Sequence, residues 1–164
     1  MPSSLLPDLK ARLDRLLAAP DLQDGEFTPT RLRAFDAASR AFLAAGPELL
    51  DQATEHLWAY YRDTASEYDA ADWERYGIPV LDEAADIWAE VTLTNPPTLT
   101  PGGDPLEPGG AYVSFEGEVT WEAEHGLQLV FQDGRAVCKV GPYDGHVTNA
   151  HAYDDPSLLG TVDR

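Results

Sequence analysis

Apolar residues recur at helical intervals from about residue 5 to residue 92, and this pattern predicts four to five helices over that part of the chain. The first helix carries leucines along one side and is expected to end before Pro20, and a turn is expected at Asp24-Gly25. Thr28 followed by Pro29 is typical of a helix start, because the hydroxyl caps free N–H groups and proline fits the first helical position. This second helix is expected to bury Leu32, Phe35 and Phe42 and to end at Gly46.

Further helices are predicted over residues 47–68, 72–76 and 79–90, and the second of these is expected to end at Gly77. Residues 94–110 then change character, since five prolines and four glycines occur in seventeen residues. Such a composition predicts a loop without regular structure between a helical layer and a β layer.

From Ala111 the apolar period changes to two, which is typical of strands with one buried face. Alternating segments precede and follow Asp133-Gly134, a dipeptide that favours a two-residue hairpin turn. We therefore expect a three-stranded antiparallel meander within residues 111–153. The fold class predicted for residues 1–164 is a single α+β domain, with the N-terminal helical layer packed on this small C-terminal sheet.

The chain is strongly acidic, with a formal net charge of −18 from 29 Asp and Glu against 11 Lys and Arg. No Lys or Arg occurs from residue 76 to residue 134, where eleven acidic residues lie. Such a field repels nucleic acid and anionic membranes, and it attracts a basic protein. Solubility, or adaptation to a salty host, is the alternative explanation of the charge.

Other sequence features narrow the setting of the protein. No apolar stretch approaches the length of a membrane helix, no secretion signal is visible, and Cys138 is the single cysteine. These features predict a cytoplasmic protein without an internal disulfide. No glycine-rich phosphate-binding motif is present, and we expect no cofactor.

Acidic residues near the first two strands form the first candidate site. If the first strand continues straight, the carboxylates on one of its faces are those of Glu116, Glu118, Glu122 and Glu124. They would steer a basic partner, with Tyr112 and Tyr143 as exposed aromatic anchors. The alternatives are a weak hard-cation site, or a solvated strand face paired with Arg135 and Lys139 of the return strand. A bulge near Ala123 would rotate part of this set.

Histidines and a carboxylate form the second candidate site. The residues with suitable chemistry for a transition metal or a hydrolase are His125, Asp144, His146 and His151. Their spacing matches no paired-ligand motif, and a structured loop explains them equally well. We therefore expect no metal, and we keep a metal-binding protein or hydrolase as the alternative function.

The segment from Tyr112 to Gly141 resembles a bacterial family of unknown function. The resemblance depends on Trp121, two further residues to the motif Glu124-His125-Gly126-Leu127, and a strand that ends in a glycine turn. The helical part, from Thr28-Pro29 to Tyr60-Tyr61, is also similar to that family, so the resemblance covers about residues 28–153. It implies membership but no activity.

These observations favour a non-catalytic protein-binding module that meets a basic partner through an acidic face. In size and charge the chain is similar to toxin-neutralising immunity proteins, an analogy that does not depend on any site. A structural or oligomeric protein remains a third interpretation.

Overall fold

Most of the helices precede the long strands of the sheet in the chain, as the apolar pattern predicts. The computed structural model describes residues 5–18, 20–22, 28–93 and 95–163. Its α-helices are α1 Leu6–Leu17, α2 Pro29–Ala44, α3 Glu48–Asp51, α4 Thr54–Ser66, α5 Ala70–Tyr76 and α6 Asn149–Ala152. Among these residues, none of the helices combines the length and the apolar character that crossing a membrane requires.

The second helix begins where its local signals predict. The Thr28 hydroxyl accepts a hydrogen bond from the Arg31 backbone N–H at 3.3 Å, which satisfies one of the free donors of the first turn. Phe35 and Phe42 are buried as expected, but Leu32 is 46% exposed, so the prediction of Leu32 as a core residue is wrong.

The third and the last predicted helix differ from the structure. Residues 47–68 form two helices, α3 and α4, and residues 79–83 are not helical; a 3-10 helix covers Ala84–Glu90. The Tyr61 hydroxyl donates to the Pro79 carbonyl at 2.8 Å and accepts from the Leu81 N–H at 3.2 Å. These hydrogen bonds occupy backbone groups that a helix over residues 79–83 would need. They join residues about twenty positions apart, so the apolar periodicity of a local segment does not predict them.

The sheet has six strands, twice the number in the predicted meander. They are β1 Asp21–Leu22, β2 Val91–Leu93, β3 Thr98–Pro101, β4 Ala111–Val119, β5 Glu122–Gln132 and β6 Ala136–Gly141. The predicted meander is confirmed as β4-β5-β6, and both β2 and β3 pair with β4 in antiparallel orientation. The short β1 pairs with β3 in parallel.

The strand β3 lies within the proline-rich segment that was expected to have no regular structure, so that prediction is wrong for residues 98–101. Leu99 pairs with Val113 of β4, and both side chains are buried on the same side of the sheet. Pairing with a long neighbouring strand thus imposes the extended conformation, in spite of the prolines nearby.

The hairpin turn between β5 and β6 has the predicted geometry. Asp133 and Gly134 both have positive φ, 51° and 66°, as a type I′ turn requires. A Cβ at residue 134 would lie 2.0 Å from the Ala38 carbonyl oxygen, so this turn also packs closely against α2. The close approach to α2 leaves no room for a side chain at residue 134, and the positive φ also favours glycine there.

The sheet has two covered faces of different character. On the face that we call the helix face, Phe115 and Phe131 contact Phe42 of α2, with ring centroids 5.3 and 5.1 Å apart. The opposite face, which we call the polar face, carries the side chains of Tyr112, Ser114, Gln128, Val130, Cys138 and Lys139. Its apolar members pack with Val147 in a second, smaller cluster.

Residues 142–163 cover part of the polar face. The Val140 N–H donates to the Val162 carbonyl at 2.9 Å, and the Asn149 side-chain amide donates to the Thr161 carbonyl at 3.1 Å. His56 of α4 also lies 3.1 Å from the Asp163 carboxylate. These contacts hold the end of the described chain against the sheet and against α4.

Candidate functional site

The acidic residues do not lie along one straight strand, so that premise of the sequence analysis is wrong. β4 ends at Val119, the chain reverses at Thr120 and Trp121, and Glu122 and Glu124 belong to β5. The pairing moves from Gly117–Leu127 to Val119–Glu122, so residues 123–126 form a bulge opposite Glu118. A bulge near Ala123, which the sequence analysis considered as the alternative to a straight strand, is therefore present, and it divides the acidic set.

This bulge is fixed on both sides. Within it, the Glu122 carboxylate accepts from the backbone N–H groups of Glu124 at 2.7 Å and His125 at 3.2 Å. On the helix side, the Tyr60 hydroxyl donates to the Gly126 carbonyl at 2.9 Å. On the other side, the Tyr143 N–H donates to the His125 carbonyl at 3.1 Å. Glu122 therefore has a structural task as well as a charge.

The bulge end of the sheet carries a concentrated negative charge. Tyr68, at the end of α4, has its pKa raised by partial burial and by the carboxylates of Glu122, Glu124 and Glu67. Burial of the Tyr60 hydroxyl and the charge of Glu122 raise the pKa of Tyr60. We call Glu118, Glu122 and Glu124 the bulge carboxylates.

Cations do not neutralise this acidic set in the described part of the chain. No Lys or Arg nitrogen there lies within 4.0 Å of Glu116 or of a bulge carboxylate; the contact found is His125 Nδ1 at 3.7 Å from Glu122. Lys139, a predicted cross-strand partner, instead forms an ion pair with Asp144. The alternative of a strand face neutralised by the return strand therefore does not hold for Lys139.

The two predicted aromatic anchors have opposite environments. Tyr112 is 0% exposed, and its hydroxyl donates to the Pro108 carbonyl, so its prediction as an exposed anchor is wrong. The period of two placed Tyr112 correctly on the polar face, but residues 142–163 and the segment before β4 bury that face. Tyr143 is exposed, and burial of its hydroxyl and the nearby carboxylates of Glu116 and Asp144 raise its pKa.

The histidine candidates are brought together only in part. The rings of His146 and His151 lie 4.8 Å apart, and His151 Nδ1 is 2.5 Å from the Glu107 carboxylate. Asp144 is engaged by Lys139 and by the His146 N–H, and His125 lies beside Glu122 instead. Across residues 5–18, 20–22, 28–93 and 95–163, no group of three or more His, Cys, Asp or Glu has a geometry that could hold a metal ion.

Nucleophiles and bases are not paired in the described segments. Burial raises the pKa of the Cys138 thiol to about 12, which disfavours the reactive thiolate. The Ser114 hydroxyl accepts from the Gln128 amide at 3.2 Å. In the same segments, the histidine rings contact carboxylates and each other, and none bonds to a serine, threonine or cysteine side chain.

A small cavity on the polar face was not found by sequence reasoning. Its volume is about 100 Å³, and its lining residues are Thr98, Thr100, Ser114, Glu116, Gln128, Tyr143, Gly145 and Val147. Strands β3, β4 and β5 form the floor, and the loop after β6 forms a wall. We call it the polar pocket. The sequence signal was the row of polar residues at alternate positions, which reads as a solvated face unless the covering segment is known.

Comparison with known proteins gives a family but no activity. A family model described as a domain of unknown function (DUF6985) matches residues 20–147. The search of curated proteins and the search of solved structures returned no match. The matched region includes all six strands and ends in the loop that walls the polar pocket. The chain belongs to the DUF6985 family, which confirms the predicted membership in an uncharacterised family.

Proposed function

We propose that this member of the DUF6985 family is a non-catalytic protein-binding module that meets a basic protein partner through the bulge carboxylates and Glu116. Neutralisation of a basic toxin, in the manner of an immunity protein, is the form of this function that its size and charge favour. The single observation that carries the proposal is a fixed group of carboxylates without Lys or Arg partners in the described part of the chain.

The geometry of the bulge supports this proposal. Glu118 and Glu124 are exposed, and the backbone that carries them is held by α4 on one side and by the loop after β6 on the other. Charges on a rigid framework are pre-organised for a partner, so less conformational entropy is lost on binding. Exposed carboxylates also raise the rate of encounter with a cationic surface.

The chemistry of the partner follows from the sign of the field. Phosphate-rich ligands would be repelled by a net charge of −18, because binding to phosphates depends on Lys and Arg. Lys- and Arg-rich proteins are attracted by the same charge. Tyr143, exposed beside Glu116, supplies an aromatic surface of the kind that anchors interfaces.

The test is the association rate with the basic protein that the chain retains from its own cells at low ionic strength. We expect the association rate constant to fall steeply as salt increases from about 50 to 300 mM, since salt screens steering between exposed charges. Glu124→Lys should lower the rate constant at low salt by about threefold or more. Surface plasmon resonance or stopped-flow fluorescence measures both effects.

Asp51→Lys is the matched control. It makes the same change of net charge at an exposed position of α3, beside the Gly134 turn and therefore at the other end of β5 from the bulge. We expect it to change the rate constant much less than Glu124→Lys. An association rate that is insensitive to salt, or equal effects of the two substitutions, would contradict the proposal.

A further inference from the structure

We propose that the polar pocket receives the ammonium group of a lysine side chain presented by the basic partner. This inference rests on the proposed function and adds a site of recognition to it. Two independent features of the pocket carry it: an unpartnered buried acceptor and a carboxylate without a cation.

The unpartnered acceptor is the side-chain oxygen of Gln128. Gln128 is 2% exposed; its amide nitrogen donates to the Ser114 hydroxyl, but its Oε1 has no hydrogen-bond partner. A buried acceptor without a donor is unfavourable, because its hydrogen bonds to water are lost on folding and are not replaced. A ligand that donates a hydrogen bond to Oε1 would recover this free energy on binding.

The position of this oxygen matters, as a second buried orphan shows. The indole nitrogen of Trp121 is also unpartnered, but Trp121 packs edge-on against the rings of Tyr60 and Tyr61, 5.9 and 5.7 Å away. Gln128, in contrast, lines a cavity. The Gln128 Oε1 itself is enclosed, with less than 1 Å² of accessible surface, so a ligand in this cavity bonds to it once the amide turns toward the cavity.

The charge of the pocket selects a cation. Glu116 also lines the cavity, directly opposite Gln128 in the β4–β5 pairing, and no Lys, Arg or His nitrogen of the described residues lies within 4.0 Å of its carboxylate. Lys139, on the neighbouring strand, is held by Asp144 and by the His146 carbonyl at 3.0 Å. A cationic donor can bond to Glu116 and Gln128 together.

The donor pattern favours an ammonium over a guanidinium. A lysine head is a compact charge with three donors, whereas the arginine head is a broad planar fork with five. The cavity of about 100 Å³ offers a carboxylate, an amide oxygen and the hydroxyls of Thr98 and Thr100 within its lining. Tyr143, which is 46% exposed and also lines the cavity, offers its ring to the methylene stem of the entering side chain.

The test uses Nα-acetyl-lysine methylamide as the probe, titrated into ¹⁵N-labelled full chain and followed by NMR. We expect saturable shifts in the millimolar range at the backbone amides of Ser114, Glu116, Gln128 and Gly145. The corresponding norleucine amide, which lacks the charge, and the arginine amide should bind at least about fivefold more weakly, since the first has no side-chain donor and the second carries its donors in one rigid planar fork.

Glu116→Gln and Gln128→Met are the pocket variants, and Glu118→Gln is the matched control. Glu116→Gln and Glu118→Gln each remove one negative charge from β4 two residues apart, but Glu118 does not line the cavity. Each pocket variant should weaken the lysine probe by about tenfold or more, while Glu118→Gln should leave it within about twofold. The spectrum of each variant also reports whether the fold is intact.

The outcomes separate this inference from the proposed function. Equal weakening by Glu116→Gln and Glu118→Gln, binding of the arginine probe as tight as the lysine probe, or no saturable shift at the pocket would each overturn the inference. If the salt-sensitive association with a basic protein is present all the same, the proposed function stands without the pocket. If the lysine probe binds but no basic protein does, the pocket stands and the proposed function fails.

Discussion

The two faces of the sheet are both buried, but apolar side chains line one face and polar side chains line much of the other. On the helix face, Phe115, Leu129 and Phe131 of β4 and β5 are 0% exposed and contact apolar side chains from the helices. On the polar face, their immediate neighbours Ser114 and Gln128 are 4% and 2% exposed and must find hydrogen-bond partners instead. One face excludes water by apolar packing alone, whereas the other must satisfy polar groups one by one.

The two faces of this sheet differ in whether every buried group is satisfied. Lys139 is satisfied by Asp144 and a carbonyl, and Ser114 is satisfied by Gln128, but the Gln128 oxygen is left without a hydrogen-bond partner. Apolar packing on the helix face supplies the stability that allows such an unpartnered group to persist. An unpartnered polar group on the polar face therefore lowers the free energy of unfolding only modestly.

The largest expected effect comes from a substitution on the helix face. Phe131→Ala should lower the free energy of unfolding by about 3–5 kcal/mol, because it removes a ring that contacts both Phe42 and Phe115. The neighbouring Val130→Ala, equally buried but on the polar face, should cost about 1.5 kcal/mol, since it removes two methyl groups from a small cluster. Urea unfolding followed by circular dichroism measures both, and equal losses of free energy of unfolding would contradict this difference between the two faces.

An intermediate effect concerns the ionisation of the polar face at high pH. Burial raises the pKa of Cys138 from 9.0 to about 12, so the folded protein holds this proton when the unfolded chain has lost it. The resulting stabilisation is complete below pH 9 and is lost as the pH rises through 12, by at most about 1.4 kcal/mol per pH unit. Urea midpoints at pH 7, 9 and 10.5 should therefore decline less steeply in Cys138→Ala than in the natural chain.

Part of the alkaline decline should remain in Cys138→Ala. Burial raises the pKa of Tyr112 on the polar face and of Tyr60 on the helix side, and neither change is affected by the substitution. A decline of the same slope in both proteins would show that Cys138 does not contribute, and the assignment of its buried thiol would then be wrong.

The smallest expected effect sharpens the comparison. Gln128→Met keeps the length of the side chain and removes the unpartnered oxygen, so the free energy of unfolding should change by less than about 1 kcal/mol or increase. Leu129→Ala, one residue along β5 on the helix face, should cost about 2–5 kcal/mol. A large loss of stability in Gln128→Met would show that this amide is needed for the fold rather than kept for a ligand.

Local signals predicted much of the architecture. The start of α2 at Thr28-Pro29, the turn at Asp133-Gly134 and the end of α5 at Gly77 each depend on residues within one turn of the feature. The α+β class and the β4-β5-β6 meander followed from the two apolar periods. The turn at Asp24-Gly25, which the sequence also favours, lies outside the described residues.

The candidate site was less predictable, and particular residues show why. Glu116 and Tyr143 were both selected from the sequence, and the structure places them side by side. Gln128, Thr98 and Thr100 were not selected, because a polar residue in an alternating strand normally faces water. The sequence alone placed Tyr112 on an open face, but the chain around it covers that face.

The sequence by itself determined the start of α2, the hairpin turn at Asp133-Gly134, the two-residue period of the central strands and the excess of negative charge. The tertiary structure alone decided that β2 and β3 join the sheet, that a bulge divides Glu116 from Glu124, and that the C-terminal segment closes the polar face. The physical reason is the range of the interactions involved. Caps and turns are decided by neighbours along the chain, whereas strand pairing and burial depend on residues that are brought together only when the whole chain has folded.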